Sequence, residues 1–376
     1  TVAGATITVA AIVFSITALS TQMASSQYSP RSVGGFFEDP FQQTIIGLVI
    51  GTFTYSLMVL ASLGSAIADG SEATTSISVT ISLILGVISV IGIVGYINHS
   101  LRRMQIDSVV RRIANASISA IHRHLERADD EEATADGSPT HGDSRSLKTG
   151  TGGWVVMIDE AHALEALPPG STARIDVRLG EAVAPGDRII VVWPDPGEDW
   201  EGAPALLRSV VTAQERSLDL DPTFGIRQLV DIGLRALSPG INDPSTAVDV
   251  VHHLKTPVRT VLLSDAPRRV FSGPENRRVF LSRTPGRSEY VYQAFSEIRL
   301  IAGRQPYVLS ALLEVLGDLK ADLEEADLSE RVGAVDHELR ATIETAQSSG
   351  LPEDDLKRVL ERAAVSHYLD ESENSG

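Results

Sequence analysis

Arg227, Asp231 and Arg235 recur at intervals of four, well past the middle of the chain. On a helix that spacing puts one carboxylate between two guanidinium groups on a single face. Such a triad is either a buried ion-pair network or a solvated face open to a ligand or partner. Asn242 and Asp243 follow, directly before Pro244, and Asp219 and Asp221 precede the triad. Their oxygens are the donors a hard cation takes, but Asp before Pro is also a helix-start signal, and capping is the preferred reading. His122 and His124, two residues apart, point to different sides of a helix and read as solvated histidines, not a metal pair. The sequence therefore points to no metal and no cofactor.

Enzyme chemistry finds little to work with. The chain has no cysteine, which removes thiolate catalysis, disulfides and cysteine zinc sites together. It also lacks a phosphate-cradling glycine loop, a His-Glu-x-x-His and a Gly-x-Ser-x-Gly, so the expectation is a non-enzyme. A formal net charge of −17 argues against a nucleic-acid partner.

The elements that must carry these residues divide sharply. Residues 41–68 hold no formal charge, residues 72–102 enclose a second apolar run, and residues 1–30 supply a third. Each is long enough to cross a hydrocarbon core of roughly 30 Å as a helix. In the first run Thr8, Ala11, Ser15, Ala18, Gln22 and Ser26 fall on one narrow face. That small, polar stripe suits either close helix packing or the lining of a wet path. The second run carries Gly47 and Gly51, and the third has Ser78, Ser82, Gly86 and Ser89 at spacings of four, four and three. Both patterns let backbones approach closely. These faces predict a tight bundle, within a subunit or in a homo-oligomer that meets through the first helix. The residues singled out for a pore or helix interface are Thr8, Ser15, Gln22, Ser26, Gly47, Gly51 and Gly86.

Six arginines between 102 and 127 follow the third run, whereas residues 65–76 have no basic side chain. By the positive-inside rule the long C-terminal part is expected in the cytoplasm of a multi-pass cell-membrane protein. The connection at 25–43, with Phe36, Phe37 and Phe41 around Pro30 and a Gly-Gly pair, reads as an elbow at the membrane surface. The chain opens at Thr1 without a secretory signal pattern, and an upstream segment is expected.

Beyond the membrane runs, residues 101–131 have helical periodicity among arginines and read as a juxtamembrane helix. Residues 132–153 read as a linker, 154–214 as a small β-rich domain, and 215–370 as a mixed, mainly helical domain. Within the β part, glycines six apart at 180 and 186 predict a hairpin that re-enters as a buried strand. It resembles the hairpins of lipoyl-like sandwiches but has no lysine at its tip. Residues 195–203 read as an exposed loop, 258–263 as a short strand, and Leu309, Leu312, Leu313, Leu316 and Leu319 as a core stripe. The fold class is thus an α-helical membrane bundle of about three transmembrane helices, then a cytoplasmic α+β region with a small β domain and a helical C-terminal part.

The run from Phe224 through the triad to Pro244, together with Phe14-Ser-Ile-Thr and 24–31, resembles the bacterial predicted-membrane-protein family DUF2254. The resemblance covers almost the whole chain. It implies a membrane address and one further N-terminal helix, and carries no catalytic residues over. Two functions then compete. One is an oligomeric channel or transport-like protein with a cytoplasmic gating domain and an ion as cargo; the other is a membrane-tethered scaffold or sensor whose cytoplasmic domain binds a ligand or protein partner.

Overall fold

The computed structural model describes residues 2–27, 40–69, 72–103, 106–125 and 143–364. The chain forms two units, residues 1–109 and 110–376. The elbow at Phe36 and Phe37, the acidic part of the linker and the side chain of Ser26 lie outside the described residues.

The first unit is three helices, α1 (Val2–Gln27), α2 (Pro40–Asp69) and α3 (Glu72–Arg103). Each contains a stretch long and apolar enough to cross a membrane, within Val2–Leu19, Pro40–Ser62 and Ile77–His99. Their shared core is Val13, Ile45, Val49, Ile93 and Tyr96. Ile12, Phe14, Met58, Leu83 and Ile91 stand exposed on the outside, as lipid-facing residues do. Hydroxyl groups fasten the interior. Thr52 and Ser89 share a hydrogen bond at 3.0 Å, Ser56 and Ser82 one at 2.8 Å, and Thr17 and Tyr96 one at 2.6 Å. With no water in hydrocarbon, pairing such groups across helices avoids leaving them unsatisfied.

The serine face read on the third run is the face α3 uses, and a Cβ on Gly86 would lie 3.1 Å from Val2 of α1. The other expected faces turn elsewhere. Thr8, Ser15 and Gln22 are exposed on α1, and a Cβ on Gly47 or Gly51 would meet nothing within 4 Å among the described residues. Thr8 and Ser15 donate to the carbonyls of Gly4 and Ala11, so their hydroxyls are satisfied within their own helix.

The second unit takes all but the first turn of α4 (Ile106–Leu125), then mixes strands and helices. A five-stranded sheet has the order β1 (Arg145–Lys148), β5 (Arg188–Trp193), β3 (Thr172–Ile175), β8 (Arg277–Leu281), β7 (Val270–Gly273). A three-stranded sheet has β4 (Ala182–Val183), β2 (Gly153–Ile158) and β6 (Val210–Ala213). With α5 (Glu160–Ala166) and α6 (Ala203–Arg208) they enclose one core around Val155, Ile175, Ile190 and Leu206.

Three local expectations change here. Residues 145–148 are an edge strand, not linker, because Leu147 buries its one apolar side chain in that core. The Gly180 to Gly186 segment is not a paired hairpin: β4 joins one sheet and β5 the other, the chain turning through left-handed glycines at both positions. Strands β7 and β8 come from far along the chain, β8 pairing in parallel with β3, so the β-rich part extends beyond 154–214. In addition, Trp200, in the segment read as an exposed loop, is partly buried against the same core.

The helical part is α7 (Pro222–Ala236), α8 (Pro244–Leu263), α9 (Arg287–Ile301), α10 (Pro306–Glu325), α11 (Gly333–Ser348) and α12 (Glu353–Ala364). Residues 258–263, read as a strand, are the last turns of α8. Pro257 sits inside that helix, and Val258, Val261 and Leu262 are buried at helical spacing. The Leu309 to Leu319 stripe is fully buried, as its periodicity predicts.

Candidate functional site

The stretch from Phe224 to Pro244 folds as α7, the turn after it and the start of α8. Asp221 caps α7 with Pro222 in its first turn, and its carboxylate accepts from the Thr223 amide at 3.0 Å. The helix is buried through most of its length because it is crossed closely at two glycines. A Cβ on Gly225 would lie 2.6 Å from Ser117 of α4, and one on Gly233 would lie 3.2 Å from Ile298 of α9. The first approach leaves no room for a Cβ at 225, while at 233 the tips of Ile298 and Val250 would have to give by a few tenths of an ångström.

Asp221 itself is 1% exposed and is held from the β side of the unit. Arg216 donates Nε and Nη2 to its Oδ2 at 2.8 and 2.6 Å. The same guanidinium lies over the rings of Phe224 and Trp154, 4.8 and 5.8 Å from their centroids. Gly180 passes so close that a Cβ there would stand 2.3 Å from Asp221 Oδ2. This clamp joins strand β2 to helix α7. Sequence reasoning named Asp221 but not Arg216, since nothing in a five-residue spacing across a turn signals a pair.

The triad is only partly a triad. Arg227 Nε donates to Asp231 Oδ1 at 2.8 Å, and its Nη1 meets Glu297 of α9 at 2.5 Å. Burial pulls the Arg227 pKa down, but the hydrogen bonds to Glu297 and Asp231 outweigh it and leave the group more firmly protonated than usual. Arg235 does not join the network, and its Nε is buried without a hydrogen-bond partner among the described residues. The second acid comes from another helix, which spacing along one helix cannot reveal.

Asn242 and Asp243 take the structural roles their types suggest. Asn242 adopts a left-handed φ of 48° in the turn. Asp243 caps α8, accepting from the Thr246 amide at 3.2 Å and its hydroxyl at 2.6 Å. Asp221 and Asp243 bracket a helix of 15 residues, roughly 22 Å at 1.5 Å per residue, so they do not share a cation.

The turn does build one further feature. Gln305, at the start of α10, donates to Asn242 Oδ1 at 3.3 Å, drawing the first turns of α8 and α10 together. Between them and α12 opens a cleft of about 600 Å³. Pro244, Asp249 and His252 form one wall, and Tyr307 and Glu314 another. On the third side Arg358 lies 3.6 Å from Asp355, both on α12. Tyr307 is 78% exposed at the rim, a large aromatic surface left in water. Of these residues, Asp249 and His252 follow the Asn-Asp-Pro turn by a few residues and were within reach of sequence reading. Tyr307, Glu314 and Arg358 were not, because only the packing of α8, α10 and α12 brings them there.

The profile of the DUF2254 family, described as a predicted membrane protein, matches residues 1–318. The chain belongs to the DUF2254 family. Uncharacterized proteins of Mycobacterium tuberculosis (strain H37Rv) and Mycobacterium bovis are similar to it, each 32% identical over 367 residues. The match spans 95% of this chain and 69% of each relative. No solved structure matches the chain. In this DUF2254 member the family profile reaches through the first two walls of the cleft and stops before α12, which begins at Glu353.

Proposed function

We propose that this protein is a membrane-anchored sensor. Three crossings hold it in the bilayer, and its second unit takes a small ligand in the cleft between α8, α10 and α12. The observation that supports this reading is the cleft's position: the Asn242 and Asp243 turn that ends the distinctive run ties its two walls together. Its volume, about 600 Å³, falls in the usual range for small-molecule sites, roughly 300–1,000 Å³. The carboxylates of Asp249 and Glu314 beside the Tyr307 ring favour a protonated amine on a short apolar body. The role is binding, not catalysis. Thermal unfolding of the purified protein with tyramine and butylamine tests it. A saturable rise in midpoint is expected, and Glu314→Lys should abolish it. A midpoint that neither amine moves would remove the reading.

We further infer that the second unit is cytoplasmic, since six arginines between 102 and 127 follow the apolar stretch of α3, the first two at the end of that helix. Reporter fusions at Ala73 and Ala133 are expected to read outside and inside respectively; an exported reporter at Ala133 would reverse the orientation.

The second reading, an oligomeric channel, is favoured by a different observation. Thr8, Ser15 and Gln22 of α1 are exposed, as are Gly47 and Gly51 of α2. A polar face of this kind suits apposed copies around an axis in a homo-oligomer.

A further inference from the structure

A second, smaller cavity lies on the other side of α8, where its C-terminal end meets the start of α9. Its volume is about 170 Å³. Ile121, Val261 and Tyr290 give it apolar walls, while polar side chains come from Thr284, Arg269 and Arg287 and also from His124 and Asp265. In two of those side chains a polar atom, Thr284 Oγ1 and Arg287 Nε, is buried without a hydrogen-bond partner among the described residues. Orphaned buried donors are uncommon, because each forgoes the hydrogen bonds it would make in water.

Charge points the same way. Arg287 Nη2 donates to the Ser264 carbonyl at 2.6 Å, and Arg331 Nη1 donates to the same oxygen at 2.9 Å. Two guanidinium groups thus converge on the end of α8. Burial, and then the neighbouring Arg331, hold the Arg287 pKa below its ordinary value, with Asp265 and Glu330 offsetting only part. Asp265 is a poor counter-ion, its side chain being 93% exposed. The start of α9 adds a helix N-terminus whose cap, Gly286, has no side chain to accept from it. Capping of α8 accounts for Arg331 and for Nη2 of Arg287. It does not account for the Nε of Arg287 or the Thr284 hydroxyl.

We propose that this cavity binds a short-chain carboxylate, its two oxygens accepting from Arg287 Nε and Thr284 Oγ1 and its alkyl part lying against Ile121, Val261 and Tyr290. A carboxylate supplies two acceptors to two donors, and the apolar walls favour a tail of a few carbons over an inorganic anion. The site is separate from the amine cleft and does not depend on it.

Titration calorimetry of the full chain in detergent with hexanoate tests the proposal, with inorganic phosphate as the comparison. Hexanoate is expected to bind and phosphate to bind far more weakly. Thr284→Val keeps the shape and removes one donor, and should weaken hexanoate about tenfold; Arg287→Lys keeps charge but loses Nε and should weaken it at least as much. Without ligand, Thr284→Val should raise the unfolding midpoint, because the orphaned hydroxyl is gone. Hexanoate affinity unchanged in both variants, phosphate binding as tightly as hexanoate, or no hexanoate binding at millimolar concentration would each overturn the assignment.

Discussion

At the scale of single residues, two aspartates of the same helix, Asp221 at its cap and Asp231 within it, are set apart by their partners. Asp221 is 1% exposed and receives Arg216, the Thr223 amide and the Thr223 hydroxyl. Asp221→Ala strands the half-buried Arg216 guanidinium and a helix start, and should cost about 3 kcal/mol. Asp231 leaves Arg227 a second acid, Glu297, whose side chain is 45% exposed. Asp231→Ala should therefore cost only about 1 kcal/mol. Thermal melts of both variants in one detergent check the order. Tyr290 offers a pH test. Burial, with Asp221 and Glu289 nearby, pushes its phenol above its ordinary pKa. The unfolded chain then loses that proton first, so the stability Tyr290 contributes is complete below about pH 10 and falls as pH rises further. Tyr290→Phe should make the alkaline loss of stability shallower, measured by denaturant midpoints between neutral and alkaline buffers.

At the scale of elements, the membrane helices separate glycines that hold the unit together from glycines that face outward. Gly86 has Val2 at 3.1 Å from a built Cβ, whereas Gly47 has open space. Gly86→Leu should push α1 off α3 and lower the melting point, while Gly47→Leu should leave the folded subunit unchanged, altering only the elution volume if copies meet at that face. Size-exclusion and melting profiles of the pair distinguish the two. The same helices show what the sequence could convey. Charge-free length marked all three, and the serine spacing found the buried face of α3, because burial in helices repeats at 3.6 residues. On α1 and α2 the small-residue faces are not the ones that pack inside the subunit, since a hydroxyl that bonds its own helix leaves the same pattern as one that bonds a neighbour. Helix caps at Asp221 and Asp243 were legible, being local. The clamp by Arg216, the acid Glu297 and the walls formed by Tyr307 and Arg358 were not, because each depends on contacts between distant segments.

At the scale of the whole molecule, the two units divide the chemistry between them. The membrane unit pairs its buried hydroxyls inside itself and carries no charged side chain within its three described spans. The second unit holds the amine cleft and the smaller cavity, buried ion pairs such as Arg216 with Asp221, and the run from Phe224 to Pro244. An anchor needs helices that satisfy one another, whereas a path needs polar groups left over to face it. The sensor we propose would read a ligand without conducting one, even if copies associate through α1. Ion flux through the purified full chain in liposomes tests that claim most directly. The account predicts flux indistinguishable from that of empty vesicles, with and without butylamine; a conductance that Ser15→Leu reduces would contradict it.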